Sequence, residues 1–135
     1  MALLLTAALA NAHHAFAPVY DASKTVTVSG VVTAFRLVNP HAQMSVEVED
    51  ETGAAKSWEV EFDGRLNLTN AGWTDDTLKV GERIVVTGNP THTGSARMFF
   101  LRLQREDGTS LVRPALQRFE ALERDRRQRV EQGDR

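Results

Sequence analysis

From Thr25 to Thr33 the chain alternates, with Val26, Val28, Gly30 and Val32 on one side and Thr25, Thr27, Ser29 and Val31 on the other. A period of two predicts a β-strand. Near Ala34 the apolar parity changes and Phe35 and Leu37 carry the bulk. One extra residue in the strand reverses which side chains face inward, so a bend or bulge is expected there, and Gly30 suits a close backbone approach. Val38-Asn39-Pro40-His41 then reads as a turn, because proline removes a donor and restricts the residue before it.

Alternation resumes over Gln43–Glu49, with Met44, Val46 and Val48 on one face. After a turn around Gly53 it returns over Lys56–Asp63 with Trp58, Val60 and Phe62, and these two runs predict a hairpin. Asp63 is placed to cap a short helix reaching Ala71, with Gly72 at the position that ends it. A turn at Leu78–Glu82 leads to a fourth strand, Arg83–Gly88. The polar loop Asn89–Ser95 leads to a fifth, Ala96–Gln104, with Phe99, Leu101 and Leu103 expected on one face and Met98 and Phe100 on the other.

The order is three strands, a short helix and two strands, with a long bent first strand. It predicts an all-β chain, a small five-stranded barrel of the OB-fold type. Closing the barrel also removes exposed strand edges, and a small β-sandwich is the rival that would not need the helix. From Leu111 the pattern becomes helical and highly charged, with Leu116, Phe119, Leu122 and Val130 spread among Arg, Glu and Gln. A C-terminal helix is expected, docked by its first two turns and frayed after about Arg124. A solvated helix is the plainer reading of its mixed charges, and a basic arm for a partner the other.

Residues 1–12 are an apolar run ending Ala10-Asn11-Ala12, the small-x-small pattern of a signal-cleavage site, although no basic residue precedes the run. The expected organisation is a signal peptide over 1–12, a barrel domain over 13–110 and a charged helix or tail over 111–135. The expected location is the periplasm or the exterior, with no membrane span in the mature chain. The formal charge is −2, but residues up to 110 carry 9 basic and 13 acidic side chains and the rest carry 7 and 5. An acidic barrel with a sequence pI near 6.1 argues against nucleic acid as a partner. There is no cysteine, so disulfides, thiolate metal sites and cysteine nucleophiles are excluded.

The chemistry-bearing residues are the four histidines. His13 and His14 would open the mature chain, while His41 and His92 lie in the loops that flank one face of an OB barrel. A terminal histidine offers its α-amine and a ring nitrogen to one metal. A second imidazole would complete a T-shaped nitrogen site of the kind Cu(II) prefers. His13, His41 and, as an alternate, His14 are therefore the candidate copper ligands, while His92 reads as an exposed loop residue. Met44 and Met98 read as core, and Glu47, Glu49, Glu59 and Glu61 as a solvated outer face. No nucleophile elbow or phosphate loop is present, and no acid, base and nucleophile converge, so binding is expected in place of catalysis.

The segments His13-His14-Ala15-Phe16-Ala17, Tyr20-Asp21, Ser29-Gly30-Val31-Val32, Asn39-Pro40-His41-Ala42, Gly72-Trp73-Thr74, Leu78-Lys79-Val80-Gly81-Glu82 and Ala96-Arg97 together resemble a bacterial family of small exported proteins of unknown function. The resemblance spans about His13 to Ser110. It implies export and a compact β-barrel and assigns no activity. Its shared histidines fall on His13, His14 and His41. Gln43 stands where an aromatic residue often follows in that family, and the extension after Leu111 goes beyond its usual end.

Two functions follow as expectations. One is a non-enzymatic exported protein that binds copper through His13 and His41. The other is a metal-free module of the cell envelope, holding a protein or small ligand on the face between loops 39–42 and 89–95.

Overall fold

The structure is a computed structural model that describes residues 16–133. The expected signal segment, His13 and His14 lie outside the described residues. The elements are β1 (Val26–Arg36), β2 (Gln43–Glu49), β3 (Ala55–Glu61), α1 (Arg65–Asn70), β4 (Arg83–Pro90), β5 (Arg97–Arg105), β6 (Ser110–Val112) and α2 (Pro114–Glu131). The sheet order is β3-β2-β1-β4-β5-β6, and a parallel pairing of β3 with β5 closes it. Five strands thus form a closed mixed β-barrel of the OB type, followed by a C-terminal helix. β6 was not expected from the sequence. It is a three-residue strand on the outer edge of β5 that leads the chain into α2.

β1 serves two neighbours in turn. Its first half, Val26–Val31, pairs with β4, and its second half, Val31–Arg36, pairs with β2. The register slips between Val32 and Ala34, so Thr33 is the extra residue and the inward face changes there. Val32 is fully buried on one side of the slip, and Leu37 is buried on the other. Gly30 marks where β1 crosses β2. A Cβ there would overlap the Glu47 carbonyl and lie 2.8 Å from Val46 Cγ1.

β5 departs from the expected alternation. Phe100 pairs with Gly88 while Arg102 pairs with Thr87, so Leu101 is an extra residue. Met98 and Phe100 face the core before this slip and Leu103 faces it afterwards. Phe99 therefore points out of the barrel, away from the face that Leu103 shares, yet is only 3% exposed. Something outside the barrel covers it.

The core holds Met44, Val46, Val60, Phe62, Leu68, Trp73, Val86, Met98, Phe100 and their neighbours. Phe62 lies at its aromatic centre, stacked on Phe100 at 4.5 Å and edge-on to Trp73 at 5.5 Å and Phe35 at 6.0 Å. α1 contributes Leu68 to this core, and Gly72 follows the helix with φ +91°. Contrary to expectation, Asp63 does not cap the helix. Gly64 holds the cap position without a side-chain bond, and Asp63 is spent on an arginine described below. α2 is helical to Glu131, without the fraying expected after Arg124. The i,i+3 and i,i+4 pairs Arg126–Glu123 and Arg129–Asp125 lie along its outer half. No helix among the described residues is long and apolar enough to cross a membrane.

Candidate functional site

The cover over Phe99 is the segment before β1. Residues 16–24 turn back along the barrel as a strap. Phe16 meets Phe99 edge-on at 4.9 Å and Tyr20 meets it at 5.5 Å. Backbone bonds fix the strap to the end of β4 and the loop after it, with Asp21 N–H donating to the Pro90 carbonyl and His92 N–H to the Val19 carbonyl. Tyr20 and Thr91 form an isolated bridge. The exposed His92 joins the strap as well, its Nε2 lying 2.9 Å from the Ala17 carbonyl. A carbonyl only accepts, so Nε2 carries the proton.

His41 also packs on Phe99, its ring 6.4 Å from that ring. Its Nδ1 lies 3.0 Å from the Phe62 carbonyl. By the same logic Nδ1 carries the proton and donates, and in the neutral ring the lone pair is on Nε2. The side chain is 38% exposed, and Glu61 Oε1 lies 3.7 Å from Nδ1. A carbonyl and a carboxylate behind one nitrogen orient an imidazole so that its other nitrogen can ligate.

Glu61 joins the strap to this loop. Its Oε2 accepts from the Tyr20 hydroxyl at 2.5 Å and from Arg97 Nη2. Arg97 also lies over the Tyr20 ring, 5.7 Å from its centre. Burial first, and the Glu61 carboxylate second, push the Tyr20 phenol above its ordinary value. From the base of α2, Arg113 stacks its guanidinium 4.5 Å from the Phe99 ring centre. Arg113 Nε and Nη2 donate to the two oxygens of Asp63 at 2.9 and 2.8 Å. This bidentate pair ties the start of α2 to the end of β3. Phe99 is thus the meeting point of strap, histidine loop and helix base.

The expected acidic face is arranged differently. In the β2–β3 register Gln43 faces Glu61, Ser45 faces Glu59 and Glu47 faces Ser57. No glutamate stands directly across from another in that register, and Ser45 Oγ donates to Glu59 at 2.9 Å. Glu61 is drawn out of this face into the Tyr20–Arg97 cluster. Met44 and Met98 are core residues, 1% and 0% exposed.

The strap's polar end gives a pH prediction. Ser23, through its hydroxyl and then its backbone N–H, and after it Lys24, hold the Asp21 carboxyl down to about 2. Both residues belong to the strap itself, so this lowered carboxyl steadies the strap's own turn above its ordinary value and loses that contribution as pH falls toward 2. A raised phenol contributes fully below about 10 and loses its contribution as pH rises past that. Strap docking is therefore expected to hold below about pH 10 and to loosen above it. Nuclear Overhauser contacts between the Phe16 and Phe99 rings would report it. Contacts unchanged at about pH 12 would contradict it.

Among the described residues no three His, Asp or Glu side chains gather as a ready-made metal site. Beside the strap, His41 Nε2 and His92 Nδ1 are the imidazole nitrogens left without a hydrogen bond among the described residues, and His13 and His14 lie outside those residues. Glu61, Tyr20, Arg97 and Phe99 were not legible as site residues, because their meeting depends on the strap's path.

One family model matches residues 2–100. The chain belongs to that family, DUF6152, a family of unknown function. Among the curated proteins nothing matches this DUF6152 chain. Two solved structures are similar in fold. One is a mitochondrial single-stranded DNA binding protein from S. cerevisiae, Rim1, with 9% identity, 67% of this chain and 95% of that chain covered, and a TM-score of 0.46. The other is a small single-stranded DNA-binding protein from Streptomyces coelicolor, with 17% identity, 62% and 91% covered, and a TM-score of 0.39. These proteins correct one expectation. The acidic barrel argues against nucleic acid as a partner, but two chains of similar fold are single-stranded DNA-binding proteins. The summed charge of a barrel does not decide what one of its faces meets, so nucleic acid is not excluded as a partner. At these scores the likeness is one of fold only.

Proposed function

We propose that this protein is a small exported binding protein that holds a copper ion between His41 and the histidines at its mature N-terminus. The carrying observation is the path of the strap. Phe16 and His41 pack on the same ring, Phe99. His14 is two residues before Phe16 and His13 three. At about 3.8 Å per residue, covalent geometry keeps their Cα atoms within roughly 8 and 11 Å of Phe16. Removal of residues 1–12 on export makes His13 the first residue, and its α-amine and ring then chelate one Cu(II) with His41 Nε2. His14 is the alternate ligand. The protein carries no reaction in this reading, and the site works in the periplasm or outside the cell.

Coordination needs an unprotonated amine and neutral imidazoles, so copper affinity falls with falling pH. The test compares protein beginning at His13 with the same protein acetylated at its α-amine, each titrated with Cu(II). Acetylation turns the α-amine into an amide that no longer offers its lone pair, and is expected to cost about tenfold or more in affinity. Equal affinity would end the proposal. The metal-free reading places its ligand between loops 39–42 and 89–95. Phe16 and Tyr20 of the strap pack at that face, so such a ligand would first have to displace them.

A further inference from the structure

At the far end of the barrel from the strap, β1 and β2 part company. Val32 N–H bonds to the Glu82 carbonyl. Alternation then directs the backbone groups of Val28 and Gly30 to β4 and those of Thr27 and Ser29 the opposite way. On that opposite side β2 pairs with β1 only from Val31 onward. No other described strand pairs there, so the N–H and C=O groups of Thr27 and Ser29 form a short open edge.

Beside this edge lies a cavity of about 540 Å³, within the range of roughly 300–1,000 Å³ that ligand sites occupy. Val31 and Val85 contribute apolar surface, and Val85 is 42% exposed. The cavity is rimmed by Glu47, Glu49, Glu106, Arg83 and Arg105. The basic groups are already matched. Arg105 is held by Glu82 and the Thr77 carbonyl, and Arg83 lies 4.0 Å from Glu106. Among the described residues Glu47 and Glu49 have no ion-pair partner. The uncompensated charge of the groove is therefore negative.

We propose that this edge and groove take an extended peptide segment of another protein, added as a strand along Thr27–Ser29, with basic side chains reaching Glu47 and Glu49. Backbone bonds to the edge would supply register, and alternate side chains would supply selection, as in other strand-addition complexes. Apart from being short, the edge has none of the side-chain devices that ordinarily discourage strand addition. Val26–Gly30 contains no lysine and no proline, and the register slip lies further along β1.

The probe is a synthetic heptapeptide of alternating Lys and Val, titrated into isotopically labelled protein and followed by NMR. Expected are shift changes and slowed amide exchange centred on Thr27 and Ser29. A Glu-Val heptapeptide should bind at least about tenfold more weakly, and the double change Glu47→Lys, Glu49→Lys should cost about as much. Ser29→Pro removes a donor that β4 does not use and should abolish the response. Glu47→Lys, Glu49→Lys leaves the backbone untouched and keeps the test decisive if Ser29→Pro fails to fold. The proposal is overturned if the Lys-Val peptide leaves Thr27 and Ser29 unshifted, or if the Glu-Val peptide binds as well. It is equally overturned if the same shifts arise from self-association of the protein without peptide.

Discussion

Phe62→Ala is expected to lower the unfolding free energy by about 3–5 kcal/mol. Phe62 is fully buried just after β3, at the point where four aromatic rings meet. Removing the ring takes away its own transfer free energy. It also leaves a cavity walled by Phe35, Trp73 and Phe100, whose backbones belong to β1, the segment after α1, and β5 and cannot all move inward together. A barrel closed by the β3–β5 pairing has little freedom to collapse. The loss is a large share of the 5–15 kcal/mol that ordinary domains possess. Urea unfolding measures it directly, as a lower midpoint at unchanged slope. A loss under about 1 kcal/mol would mean that the barrel closes otherwise than described.

His41→Ala is expected to do the reverse, leaving stability nearly intact and lowering Cu(II) affinity by about 100-fold or more. The ring is part exposed and donates one hydrogen bond to a backbone carbonyl, a loss of about 1 kcal/mol. As a ligand it would supply one of three nitrogens. Changes to groups that merely orient a ligand already cost 10–100-fold, so removal of the ligand itself costs more. Calorimetric copper titration of the folded variant checks this, and an unchanged affinity would take His41 out of the site. The two substitutions separate the barrel's integrity from its proposed chemistry.

Much of the barrel could be read from residue alternation. The parity change near Ala34 announced the slip at Thr33, because a bulge leaves its mark on which residues are apolar. The slip at Leu101 left none. Phe99, Phe100 and Leu101 are all apolar, so no change of parity marks the extra residue. Phe99 was expected to share a face with Leu103 for that reason, although it is buried from outside by Phe16, Tyr20 and Arg113. β6 is too short to carry a period. Asp63 looked like a helix cap because capping is a local preference. Its actual partner, Arg113, lies 50 residues away.

The candidate site divides along the same line. His41 stood out by residue type and by its place in a loop. Tyr20, Glu61 and Arg97 did not, because each is ordinary in its own segment. They meet only because the strap folds back, bringing Tyr20 to Glu61 across 41 positions. Glu61 read as one of four solvated carboxylates, and no periodicity separates it from Glu59.

The most direct test of the copper reading is an electron paramagnetic resonance spectrum of the protein beginning at His13, loaded with one equivalent of Cu(II). Three nitrogen donors are predicted, from the α-amine, the His13 ring and the His41 ring, with one lost on His41→Ala. A spectrum dominated by oxygen donors, or one that His41→Ala leaves unchanged, would contradict it.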